Sequence, residues 1–224
     1  MEEGQFLRIG AFKTAQLGYL TLLHLYQEGL GTHPNEAVAV KRMYVRRNTP
    51  TQANSNRWEI THLMPADEFC KTIMEANVLL WAISIMNYTY LIRLGSDRDT
   101  YSFIYHFINT ADTPPPFDIP KIHFLHAAIA VVNQQVVGPA AKATANICRT
   151  YLVEELINEE QDGFHKFINR GSAVPVKLSA TNKSLLALGE FLPFTQHVQY
   201  YKTGGLVYIS DLQGVWLIVL PNLN

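Results

Sequence analysis

Apolar and polar positions alternate from Phe6 to Tyr26 around Gly10 and Gly18, which predicts two strands, or a strand and a loop, folding back on themselves. Ala37 to Tyr44 (AVAVKRMY) is a β-branched run broken by Lys41, and it predicts a strand with Arg42 facing solvent. Residues 45 to 62 are polar with few apolar anchors and predict a mobile connecting loop, an insertion. The period then changes. From Glu68 to Arg93 a helical stripe runs through Phe69, Ile73, Leu80, Ile83, Met86 and Tyr90, with Pro65 and Asp67 as start signals, and predicts the longest helix, packed on the sheet.

Residues 95 to 123 open polar, pass an aromatic patch at Tyr101, Phe103, Tyr105 and Phe107, and reach Pro114-Pro115-Pro116, which favours an extended linker. Ile122 to Val137 alternates loosely and predicts two more strands of the first lobe, although its alanine-rich centre leaves helix open. Tyr151 to Glu154 reads as a further strand, and Glu155, Glu159, Glu160 and Asp162 after it as a solvated acidic face. Gly171 to Thr181 predicts a loop, and Leu185 to Tyr201 a helix that Pro193 kinks or divides in two. Phe194 to Gly214 then gives helix, a turn at Thr203-Gly204-Gly205, a short buried apolar strand, and a polar strand end at Ser210, Asp211 and Gln213. The mixture predicts an α+β fold.

Composition narrows the class. The 224 residues are 48% hydrophobic and 17% charged, enough for a globular core in one large domain or two small lobes. Lys and Arg number 18 against 19 acidic residues, so no net field selects nucleic acid or an anionic membrane as partner. No signal-like leader is visible and no apolar stretch approaches the roughly 20 residues of a membrane span, so the expectation is a cytoplasmic or nuclear chain. Cys70 and Cys148 have no metal or disulfide spacing and read as buried free thiols.

Candidate chemistry starts at Lys41. A lysine among valines is costly to bury unless an anion pairs with it, and nucleotide phosphate is such an anion; a lysine guarding an edge strand is the alternative. The Asp211-Leu212-Gln213-Gly214 end, with Phe194-Thr195-Gln196-His197 at its distance upstream, resembles the catalytic segment of the alpha-kinases, atypical protein serine/threonine kinases. Phe164, Lys166, Phe167 and Asn169 are similar to the Phe-x-Lys-Tyr/Phe-x-Asn that follows the hinge in that family.

The resemblance implies a two-lobed fold, a strand-rich first lobe with one long helix over residues 1–152, then a hinge and a smaller lobe over 153–224. It implies transfer of the γ-phosphate of ATP to Ser or Thr of a protein substrate, with Lys41 on phosphate, Asp211 catalytic and Gln213 as a ligand of Mg. By the same resemblance Lys13 sits in a phosphate-facing loop and Glu154 in the hinge that meets adenine; Glu75 is placed to pair with Lys41, and His197 stands where the family has a zinc ligand. A solvated surface lysine and a solvated helix glutamate are the plain readings of Lys13 and Glu75.

The pattern then breaks. No carboxylate follows Asp211, so the family's Thr-Asp-Pro, whose aspartate binds magnesium, has no counterpart, nor do its glycine-rich loop and its His-x-Cys-x-x-x-Cys zinc segment. Measured against the family the sequence is expected to be truncated, with His197 holding no zinc and the chain a weak kinase or a pseudokinase-like binding module.

Overall fold

The computed structural model describes residues 6–48, 58–90, 92–93, 100–101, 120, 122–137, 144–157, 163–172, 174–178 and 182–214. These residues form an α+β structure of antiparallel strands and two helices. The aromatic patch beyond Tyr101, the triple proline and the acidic run at 158–162 lie outside the described residues. The chain divides into two compact units, one of residues 1–79 and 125–156, the other of residues 80–124 and 157–224.

The first unit is organised by a long strand. β1 (Phe6–Ile9) and β2 (Lys13–Leu20) form the predicted pair that turns at Gly10. Gly18 marks no turn: it lies inside β2, where a Cβ would come within 2.4 Å of Val40 Cγ2, so its lack of a side chain serves close strand packing. β3 (Glu36–Asn48) pairs with β2 over its first half and with β4 (Trp58–His62) over its second. Much of the stretch expected as a loop is therefore sheet. Polar side chains at Arg47, Glu59 and Thr61 misled the sequence reading because they share one face of the pair, and a strand pair with a solvated face tolerates them.

β7 (Ala127–Val137) and β8 (Thr144–Glu155) complete the sheet, in the order β1-β2-β3-β8-β7 with β4 also on β3. The alanine-rich segment is one continuous strand rather than the two expected, and β8 begins well before Tyr151. Val38, Ala39, Met43 and Tyr44 of β3 are buried with Leu152 and Val153 of β8. Burial of apolar area at about 25 cal/mol per Å² is the main stabilising term here.

α1 (Pro65–Tyr90) starts with Pro65 in the first turn beside Asp67 and Glu68, whose charges favour a helix N-terminus. Its buried side chains are Glu68, Thr72, Met86 and Thr89, whereas Phe69 and Leu80 of the expected apolar stripe are exposed. The threonines are accommodated because Thr72 Oγ1 donates to Glu68 O and Thr89 Oγ1 to Ile85 O, each at 2.7 Å, satisfying the hydroxyls within the helix. Contrary to the sequence expectation, α1 is long and apolar enough by composition to cross a membrane, with a mean hydropathy of 1.4 over its most apolar window and 11% of that window buried.

The second unit holds two short pairs, β5 (Ile92–Arg93) with β6 (Thr100–Tyr101) and β9 (His165–Lys166) with β10 (Gln213–Gly214), together with α2 (Lys183–Lys202). Asn182 caps α2 by accepting from Leu185 N at 3.0 Å. Pro193 lies within one unbroken helix rather than dividing it. The core of this unit is Phe167, Ile168, Leu185, Leu188, Phe191 and Leu192, against which Leu178, Phe194 and Leu212 pack.

Candidate functional site

In the first unit the ion pairs follow the sheet register. Ala39 lies opposite Glu154 and Lys41 opposite Leu152, so Lys41 and Glu154 are diagonal neighbours on one face of the β3–β8 ladder. The Lys41 ammonium donates to Glu154 Oε2, and the pair is partly buried, with side-chain exposures of 27% and 9%. Lys41 thus has a carboxylate partner inside the sheet, and β3 is an interior strand there, not an edge.

Glu75 does not pair with Lys41. It is exposed on α1, and its Oε2 accepts from Lys13 Nζ at 2.6 Å, joining the start of β2 to the helix. Such an exposed pair contributes roughly 0.2–1 kcal/mol. Lys13 and Glu75 therefore form a surface pair of their own, separate from the Lys41 and Glu154 pair.

Arg42 does not face solvent either. Its Nε donates to Glu68 Oε1 at 2.7 Å, and its guanidinium lies 5.8 Å from the centre of the Tyr151 ring. Glu68 Oε2 also accepts the backbone N–H of Thr150 at 2.9 Å. One carboxylate, 1% exposed, so ties α1 to both β3 and β8 within the unit that carries Lys41 and Glu154. Nothing in the sequence distinguished Glu68 from an ordinary first-turn acid; only the fold turns it inward.

Nearby, His62 Nδ1 donates to Met43 O at 3.5 Å, and its basicity is held below the ordinary histidine value by burial and then by the Arg42 and Arg149 charges. At the other end of β3, Glu36 Oε2 accepts from Gly31 N and Thr32 N at 3.0 Å and from Thr32 Oγ1. Burial works to raise the Glu36 pKa, but these donors outweigh it and hold the carboxyl below its usual range.

In the second unit β9 and β10 place Lys166 opposite Gln213. The Lys166 ammonium contacts Asp211 Oδ1 and lies 3.4 Å from Gln213 Oε1. Asp211 and Gln213 are exposed, and Asp211 has φ of 62°, a left-handed conformation that costs an aspartate less than most residues. Lys166 was known only as part of the motif after the hinge. The sheet makes it the counter-ion of Asp211.

The approach to Asp211 differs from the expected buried strand. Val207 to Ser210 has no regular structure, and Leu206 is 87% exposed. Side chains of α2 hold it instead: Gln199 Oε1 accepts Ile209 N at 2.8 Å and Gln196 Nε2 donates to Ile209 O at 2.5 Å. Gln196 and Gln199 sit on the buried face of α2, a polar pair on an apolar face that sequence reasoning passed over.

The donors near Asp211 do not make a magnesium site. Among the described residues they comprise one carboxylate, already carrying Lys166, and one amide oxygen, whereas magnesium is held by carboxylate and phosphate oxygens. His197 is exposed on α2, and no described group of three or more metal-ligating side chains includes it, so these residues do not fit a zinc ion.

No protein-family model matches the chain, and no curated protein or solved structure matches it significantly.

Proposed function

We propose that the chain is an alpha-kinase-like, two-lobed protein that binds ATP through Lys41 and transfers its γ-phosphate to Ser or Thr of protein substrates far more slowly than a complete alpha-kinase. The observation that carries this reading is the Lys41–Glu154 pair, joining residues 113 apart in the chain that the family resemblance named independently. Lys166, Asp211 and Gln213, also named by it, come together in the other unit.

In this reading Lys41 contacts phosphate, Glu154 takes the place expected of Glu75 in holding that lysine rather than the adenine-facing place the resemblance implied for it, and Asp211 orients the acceptor hydroxyl. Phosphoryl transfer depends on positioning and on neutralising charge around the γ-phosphate, and a bound magnesium would supply most of that neutralisation. The donor set here is too poor in carboxylates for that, which is why slow transfer follows. A second reading, a pseudokinase-like module that binds nucleotide without transfer, is favoured by the engagement of Asp211 with Lys166.

The test measures binding of a fluorescent ATP analogue and radiolabelled phosphate transfer to a Ser/Thr peptide mixture, for the chain and its Lys41→Ala and Asp211→Ala variants. Binding lost with Lys41→Ala, and slow transfer lost with either variant, supports the kinase reading. Binding without transfer supports the second reading, and no binding rejects both.

A further inference from the structure

The first unit contains a groove that the ATP reading does not use. It has a volume of about 490 Å³ and lies between the β1–β2 turn, the distal half of β3, and α1. Phe12, Val45, Leu63 and Met74 give it apolar walls, and neither Lys41 nor Glu154 lines it. Phe12 is 72% and Met74 66% exposed, so two large apolar side chains face water at its mouth. Sites for small organic molecules have this make-up, mostly apolar walls and few polar groups within roughly 300–1,000 Å³.

The charged groups at the rim select the ligand. Glu75 is already paired with Lys13, and Arg46 donates to Tyr44 Oη and Gly10 O at 3.3 Å. Lys71, one turn before Glu75 on α1, is exposed and has no hydrogen bond or ion pair among the described residues. The rim therefore offers an ammonium with three donors beside an apolar channel.

We propose that this groove binds a medium-chain fatty carboxylate, with its alkyl chain along Phe12, Val45, Leu63 and Met74 and its carboxylate at Lys71. An alkyl chain needs no hydrogen-bond partners, so these walls lose nothing on being covered and gain the transfer of apolar area from water. A cationic head would meet Lys71 and Arg46 and be repelled. A neutral head would leave the ammonium without an anion.

The full chain would be titrated with a dansyl-labelled undecanoate, then challenged with decanoate, decanol and decylammonium below their aggregation concentrations. Saturable binding is expected, with decanoate displacing the probe about tenfold better than decanol and decylammonium weakest. Lys71→Glu should remove the preference for decanoate over decanol, and Phe12→Ser should weaken both, with far-UV circular dichroism unchanged for either exposed substitution. Lys41→Ala should leave displacement unaltered, which separates this site from the ATP reading. The absence of saturable binding, equal displacement by decanoate and decylammonium, or an unaltered Lys71→Glu variant would overturn the proposal.

Discussion

The Lys41 ammonium on β3 is bonded to the Glu154 carboxylate on β8, two residues apart across an antiparallel ladder although 113 apart in the chain. Lys41→Ala leaves Glu154, 7% exposed, without its cation. The expected cost is about 1–2 kcal/mol, at the modest end because Lys41 itself reaches solvent. Urea unfolding of Lys41→Ala, Glu154→Ala and the double variant should show the double loss smaller than the sum of the single losses. Additive losses would mean that the two side chains are not coupled.

Glu68 should matter more to stability than any other acidic residue of the first unit. Its carboxylate is 1% exposed and serves both Arg42 and the Thr150 amide. Glu68→Ala strands a guanidinium and a buried N–H together, for a predicted loss of about 3–5 kcal/mol. Glu75→Ala, on the same helix but exposed, should cost under about 1 kcal/mol. Thermal denaturation of the two variants side by side checks the contrast.

Asp211 combines a left-handed backbone with a bonded side chain. Asp211→Ala should be less stable than Asp211→Gly by about 1 kcal/mol, because alanine meets the steric penalty at φ 62° and glycine does not. Both variants should lose the slow phosphate transfer proposed above. Equal melting temperatures for the two would contradict the backbone argument.

Gln199→Leu keeps side-chain bulk but removes the acceptor for Ile209 N. Amide exchange at Ile209 should then quicken about tenfold, while Leu188 and Phe191 in the core of α2 remain protected. Unchanged exchange at Ile209 would show that the segment before Asp211 is held by something else.

Glu36 gives the first unit a pH dependence. Its folded-state pKa is lowered, so the folded chain releases this proton more readily than the unfolded one. The associated stability is present above the ordinary glutamate value of about 4.3 and is lost as pH falls through the lower folded value. Glu36→Gln should flatten the acid side of the stability profile, and an unchanged slope below about pH 4 would count against it.

How far the sequence reached depended on the kind of signal. Period-two alternation located β1 and β2 and favoured strand at β7 while leaving helix open there, a β-branched run located the first half of β3, and the helical runs located α1 and α2, because these patterns are properties of neighbouring residues. Chain reversals at Gly10 and at Gly204-Gly205 were legible as turns, the latter pair with positive φ of 66° and 84°. Lys41, Glu154, Asp211 and Gln213 were marked by resemblance, without partners.

Partners were decided by the fold. Whether Lys41 meets Glu75 or Glu154 depends on which strand lies beside β3, and the register Ala39 opposite Glu154 settles it. The buried side of α1 was misread because Glu68, Thr72 and Thr89 are polar by type, and they become suited to burial only once Arg42, Thr150 N and the helix carbonyls are positioned to bond them. The same holds before Asp211, where an apolar run reads as buried strand until Gln196 and Gln199 take up the Ile209 backbone groups that a neighbouring strand would otherwise bond. Local pattern records what a side chain prefers, and the hydrogen-bond partners that override the preference come from distant parts of the chain.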